Sequence, residues 1–214
     1  MSVKLKGTSG SVSLDAPTNT TSGADITFKL PVADGTSGQV LQTDASGQLS
    51  FVSLPAPTYG TKTAIGTGNW KDITGIPAGT KKMYLFLDNW SLSGSDNLAI
   101  QLGDSGGMEN TGYEGRGAYV SNASYANSRA DSNAFITMGH DTAGYSWSGI
   151  FKFYLYDGNT WYLTAHSWTA DAETNYWTTG RKTLSGELTQ LRIGQSASST
   201  FDEGEYKLVT FDNL

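Results

Sequence analysis

Gly103-Asp-Ser-Gly-Gly107 spells the residues that surround the nucleophile of many serine proteases, where a histidine base oriented by a buried aspartate activates the hydroxyl. In those enzymes histidine and aspartate precede the serine, whereas His140 and His166, the two histidines of this chain, both follow it. The motif reads instead as a tight Gly-rich turn after a strand over 98–102, with Asp104 and Ser105 bonding local backbone. His140 beside Asp141 suggests a metal or acid–base pair, but without a third ligand it reads as a loop histidine. Two carboxylates at a fixed separation could cleave a glycosidic bond, and Asp171 with Glu173, or Asp202 with Glu203 and Glu205, would supply them. Acidic surface turns are the commoner meaning of such spacing, and no acidic loop of the calcium-binding kind occurs. The expectation is a protein that is not an enzyme and that uses neither metal nor cofactor.

Recognition is the chemistry these residue types favour. Residues 104–146 hold Tyr113, Tyr119, Tyr125 and Tyr145 among Gly, Ser and Asn, together with Arg116 and Arg129. That mixture matches evolved binding loops, because Tyr offers a flat apolar face and a hydroxyl at low entropic cost. A second candidate is residues 168–177, with Trp168, Asp171, Tyr176 and Trp177, whose rings could stack on the C–H face of a sugar. Any one ring fits the core or a subunit contact better, yet the loops taken together form the expected ligand surface. The candidate ligand-binding set is Tyr113, Arg116, Tyr125, Arg129, Trp168, Asp171, Tyr176 and Trp177.

The elements that must position these residues are strands. Twenty-six glycines and the lack of any i, i+3, i+4, i+7 apolar period predict an all-β chain with many turns. Strand-like runs lie at 82–90, 98–102, 134–138, 147–156, 161–168, 188–193 and 206–211, each bounded by Gly, Asn, Asp or Ser. Phe151, Phe153 and Leu155 should share one face while Lys152, Tyr154 and Tyr156 take the other, suiting a second packed surface such as a neighbouring subunit. The predicted architecture is an antiparallel, jelly-roll-like β-sandwich over 59–214.

The front of the chain differs. Only Phe28 and Phe51 among the aromatic residues precede Thr58, and the prolines at 55 and 57 mark a boundary there. Within residues 1–58, Val12 and Leu14, then Ile26, Phe28 and Leu30, alternate with polar neighbours, and Asp44-Ala-Ser-Gly47 reads as the turn of a hairpin between 40–43 and 49–53. So few large side chains bury too little to be stable alone, so the module needs partner chains.

Residues 10–31, with Pro17, Gly23 and Pro31 spacing those alternating positions, closed by residues 38–51, resemble a module of bacteriophage tail-fibre and virion-surface proteins. Residues 72–97 and 100–107, then 184–193 and 201–204, are similar to C-terminal regions of phage tail-fibre and receptor-binding proteins. The resemblance implies a homotrimer in which residues 1–58 serve attachment to other virion proteins and residues 59–214 form the distal, ligand-facing domain. It implies adhesion to a host surface glycan, with a decoration or head-fibre protein and a glycan depolymerase as alternatives.

Charge and composition bound the partners. Lys and Arg number 14 against 20 Asp and Glu, a net charge of −6, so phosphate backbones and anionic membranes are repelled on average. Nucleic acid is therefore not an expected partner. With no Cys, neither disulfides nor thiolate metal sites can form. No run of about 18 apolar residues occurs, and the start of the chain lacks the apolar segment of a signal peptide. The expectation is a soluble chain without membrane insertion, made in a host cytoplasm and carried on the exterior of a virion.

Overall fold

A computed structural model of the protein describes residues 2–6, 9, 11–15, 27–121, 124–127, 133–136, 142–195 and 197–212. Across these residues the chain is all-β, without a helix, and all strand pairs are antiparallel. Alternating side chains leave a helix no continuous apolar stripe to bury, whereas a strand can turn every second residue inward. The chain divides into two compact units, Met1–Leu54 and Pro55–Leu214.

In the first unit β1 (Ser2–Lys6) pairs with β2 (Ser11–Asp15), and β3 (Gln39–Thr43) pairs with β4 (Leu49–Ser53). The β3–β4 turn closes on Asp44, whose Oδ1 accepts the N–H groups of Ser46 at 2.8 Å and Gln48 at 3.0 Å. Gly47 adopts φ of 92°, and a Cβ there would lie 2.2 Å from the Thr27 carbonyl oxygen, so only glycine fits. Of the alternating stretch at 26–30, residues 27–30 are described and hold a single parallel bridge, Lys29 to Gln48. Phe28 and Leu30, 61% and 76% exposed, find no apolar surface to reward a longer pairing. None of the residues 27–54 is buried.

The second unit runs through β5 (Thr58–Tyr59), β6 (Thr63–Ala64), β7 (Trp70–Thr74), β8 (Lys82–Leu92), β9 (Leu98–Asp104), β10 (Gly107–Met108) and β11 (Tyr113–Ser121). It continues with β12 (Ser124–Asn127), β13 (Phe135–Ile136), β14 (Trp147–Asp157), β15 (Thr160–Thr169), β16 (Thr174–Thr183), β17 (Gln190–Gln195) and β18 (Phe201–Phe211). Thr58, expected in the front module, belongs here, because β5 lies opposite Val209 and Thr210. A nine-stranded sheet has the order β12-β11-β16-β15-β14-β8-β18-β5, with β6 also on β18. A five-stranded sheet has the order β10-β9-β17-β7, with β13 on β9. β14, β15 and β16 form an up-and-down meander inside the large sheet.

One buried cluster joins the two sheets into a sandwich-like unit. Met83, Leu85 and Leu87 of β8, Phe151 and Phe153 of β14, and Trp161 and Leu163 of β15 meet Leu98, Ile100 and Leu102 of β9 and Leu191 and Ile193 of β17. Gly180 of β16 belongs to this packing, since a Cβ there would sit 2.9 Å from the Phe135 ring. The stretch expected to be binding loops, 104–146, contains β10 to β13. Its glycines at 115 and 117 alternate with outward Glu114 and Arg116, which conceals the strand period of β11.

Candidate functional site

Cross-strand register decides which side chains share the solvent face of the large sheet, because directly paired residues point the same way. One row runs Ala118, Trp177, His166, Ile150, Phe86 and Lys207 across six strands. The next runs Arg116, Thr179, Thr164, Lys152, Tyr84 and Val209, and the third Glu114, Arg181, Tyr162, Tyr154, Lys82 and Phe211. Trp168 stands beside the first row, paired with Asn175 and Ser148.

Three rings cluster at one end of this face. His166 lies flat against Trp177, with centroids 5.4 Å apart and planes 7° from parallel, and Trp168 is 6.4 Å from His166. Trp168 and Trp177 keep 45% and 44% exposure although they sit mid-sheet on strands held from both sides. They form a stiff, flat, partly apolar platform flanked by the amide of Asn175. Such a platform can stack against the C–H side of a sugar ring while nearby amide and hydroxyl groups bond its hydroxyls.

Asp171, exposed in the β15–β16 turn, also holds its surroundings in place. Its Oδ2 accepts the Ser146 N–H at 2.8 Å, and its own N–H donates to Thr169 Oγ1 at 3.1 Å, which closes the β15–β16 turn. Ser146 Oγ donates to Glu203 Oε1 at 2.9 Å, and Glu205 pairs with Lys62. Asp171 and Glu203 together hold Ser146, just ahead of β14.

Tyr113 and Tyr176 are core residues, which corrects their assignment to a ligand surface. Tyr113, 4% exposed, accepts the Leu102 N–H at 2.7 Å and donates to the Glu109 carbonyl at 2.8 Å, and burial pushes its phenol well above the ordinary range. Tyr176 stacks on Tyr119 at 5.0 Å and meets the edge of Trp147 at 5.7 Å. Arg116 does reach the outer face, together with Trp168 and Trp177. Tyr125 contributes its backbone to β12 opposite Val120, while Arg129, His140 and Asp141 lie outside the described residues.

Neither His166 nor the lysines of these rows, Lys82, Lys152 and Lys207, stands in the expected ligand-binding set. The signal available was alternation, since Tyr162, Thr164, His166 and Trp168 follow the same period as the buried Trp161, Leu163 and Ala165.

Gly103 to Gly107 forms the β9–β10 hairpin, with Asp104 opposite Gly107. Asp104 accepts the Gly106 N–H and the Ser185 hydroxyl, both at 2.7 Å, and these bonds, the hydroxyl first, hold its carboxyl below the usual range. Beside it a buried Lys182 ammonium pairs with Glu109, which also accepts the Ser185 N–H at 2.7 Å. Partial burial opposes ionisation of Glu109, but the Lys182 and Ser185 bonds win and keep its pKa low. Among the described residues no three His, Cys, Asp or Glu side chains converge as a metal site requires.

Comparison of the chain with family models, curated proteins and solved structures gives no match.

Proposed function

We propose that the protein is a bacteriophage virion component, a tail-fibre or receptor-binding subunit that holds a host cell-surface glycan against the outer face of its large sheet. The observation that carries this reading is the exposed Trp168, His166 and Trp177 platform, set on the rigid β14–β16 meander instead of a loop. Preorganised rings lose little freedom on binding, which suits repeated weak contacts with a carbohydrate. The resemblance of residues 10–51 and 72–107 to phage fibre proteins supports the virion setting.

The first unit supports assembly. Phe28, Leu30, Val32 and Leu41 stay exposed, so its apolar surface needs other chains to cover it. In this reading three copies associate through residues 1–58, which also attach to neighbouring virion proteins. Sedimentation of the full chain at micromolar concentration should return the mass of three chains, and a folded monomer would remove this part.

Competition with phage adsorption tests adhesion. Full-length protein should block adsorption to host cells, and the Trp168→Ala, Trp177→Ala double variant should need at least about tenfold more protein, a loss of about 1.4 kcal/mol. A wild-type protein that leaves adsorption unchanged would instead support a decoration or head-fibre role. Release of reducing sugar from host polysaccharide would indicate a depolymerase.

A further inference from the structure

The remainder of the outer face carries a charge pattern opposite to that of the whole chain. Lys82, Lys152, Lys207, Arg116 and Arg181 all stand on the three transverse rows, and the single acidic residue on those rows is Glu114. Glu114 is paired with two guanidinium nitrogens of Arg181, at 3.1 and 3.0 Å. Among the described residues no carboxylate forms an ion pair with Lys82, Lys152, Lys207 or Arg116.

The ammonium groups converge instead on rings. Lys82 and Lys152 sit 5.5 and 5.6 Å from the same Tyr84 centroid, Lys82 is also 4.2 Å from Phe211, and Lys207 is 5.6 Å from Tyr59. Ring faces orient these stems without neutralising their charge. Two like charges over one ring repel, and an anionic group between them would relieve that repulsion. Asp88 and Glu205 pair with each other beside the first row, two positions from Phe86 and Lys207, and each is engaged there: Asp88 accepts the Ser148 hydroxyl at 3.0 Å and Glu205 pairs with Lys62. These acidic groups border Lys207, while Lys152 and Lys82 stand one and two rows further from them.

We infer that the glycan bound by this face is acidic, a polysaccharide bearing carboxylate or phosphate groups, with neutral ring faces on the Trp168–His166–Trp177 platform and anionic groups on Lys82, Lys152 and Lys207. This inference rests on the glycan-adhesion reading above. It also accounts for a net-negative protein keeping an uncompensated basic strip on one face, since charge complementarity selects among partners and steers their approach.

The test uses the full-length protein and surface polysaccharide extracted from host cells, measured by titration calorimetry before and after the polysaccharide is stripped of charge. Carboxyl reduction removes carboxylates and hydrogen fluoride removes phosphates, so the two treatments separate the two anion sources. The untreated polymer should bind, one treatment should weaken it at least about tenfold, and raising salt from low to physiological should weaken it further. The Lys82→Gln, Lys152→Gln double variant should lose a similar factor while melting as the wild type does. Equal binding of untreated and fully stripped polymer, or an unaffected lysine variant, would overturn the acidic ligand and leave the glycan reading intact. Failure of the untreated polymer to bind, alongside unblocked adsorption, would overturn both.

Discussion

The two faces of the large sheet are built from the same residue types and come to opposite ends. On one side Phe151, Phe153, Trp161 and Leu163 are closed over by the small sheet. On the other, Tyr154, Tyr162, His166, Trp168 and Trp177 stand in solvent among lysines and arginines. Aromatic content therefore does not separate core from surface in this protein. The difference lies in what covers them, since the inward rings are enclosed by Leu98, Ile100, Leu102, Leu191 and Ile193 of the small sheet, while the outward rows also carry Lys82, Lys152, Lys207, Arg116 and Arg181.

Truncation on each face is the strongest way to break that contrast. Phe153→Ala should cost about 3–5 kcal/mol of stability, as large-to-small changes in a closed core do. Trp177→Ala should stay within about 1 kcal/mol, because its ring is half in water already. Urea denaturation of both variants measures the pair, and equal losses would mean that the outer rings are structural.

A smaller effect sharpens the comparison at its polar exception. Lys182 points to the inner side of β16, opposite the buried Trp161, and pairs with Glu109. Glu109→Gln should cost about 2–3 kcal/mol at pH 7, below the span for a fully enclosed pair because the Glu109 side chain keeps 22% exposure. A folded pKa below the ordinary value means that this contribution is present above about pH 4.5 and is lost as pH falls through the folded value. The wild-type melting temperature should thus be level from about pH 7 to 5.5 and drop below about pH 4. A drop of the same size in Glu109→Gln would exclude the pair as a source.

Much of the strand pattern was legible beforehand, and the exceptions have physical causes. β8, β14 and β15 follow runs in which apolar residues recur at every second position. β16 escaped notice because its inward positions are Thr174, Tyr176, Thr178, Gly180 and Lys182, buried without being hydrophobic as a set. Once that run is known to be a strand, adjacent Tyr176 and Trp177 must face opposite ways, so they cannot both touch a ligand. The lysine cluster could not be anticipated at all, since Lys82, Lys152 and Lys207 come from three strands far apart in the chain. The strand order that assembles them is set by which sheet faces can be covered, and local alternation carries no information about it.

The strict in-and-out alternation of the β14–β16 meander also restricts how this surface can be remodelled over generations. Inserting or deleting one residue of β16 ahead of Tyr176, where no bulge absorbs it, would turn the following positions over, sending Tyr176 to solvent and Trp177 into the interior. New ligand preferences must therefore arise by replacement at alternate positions, with length variation confined to the connecting turns.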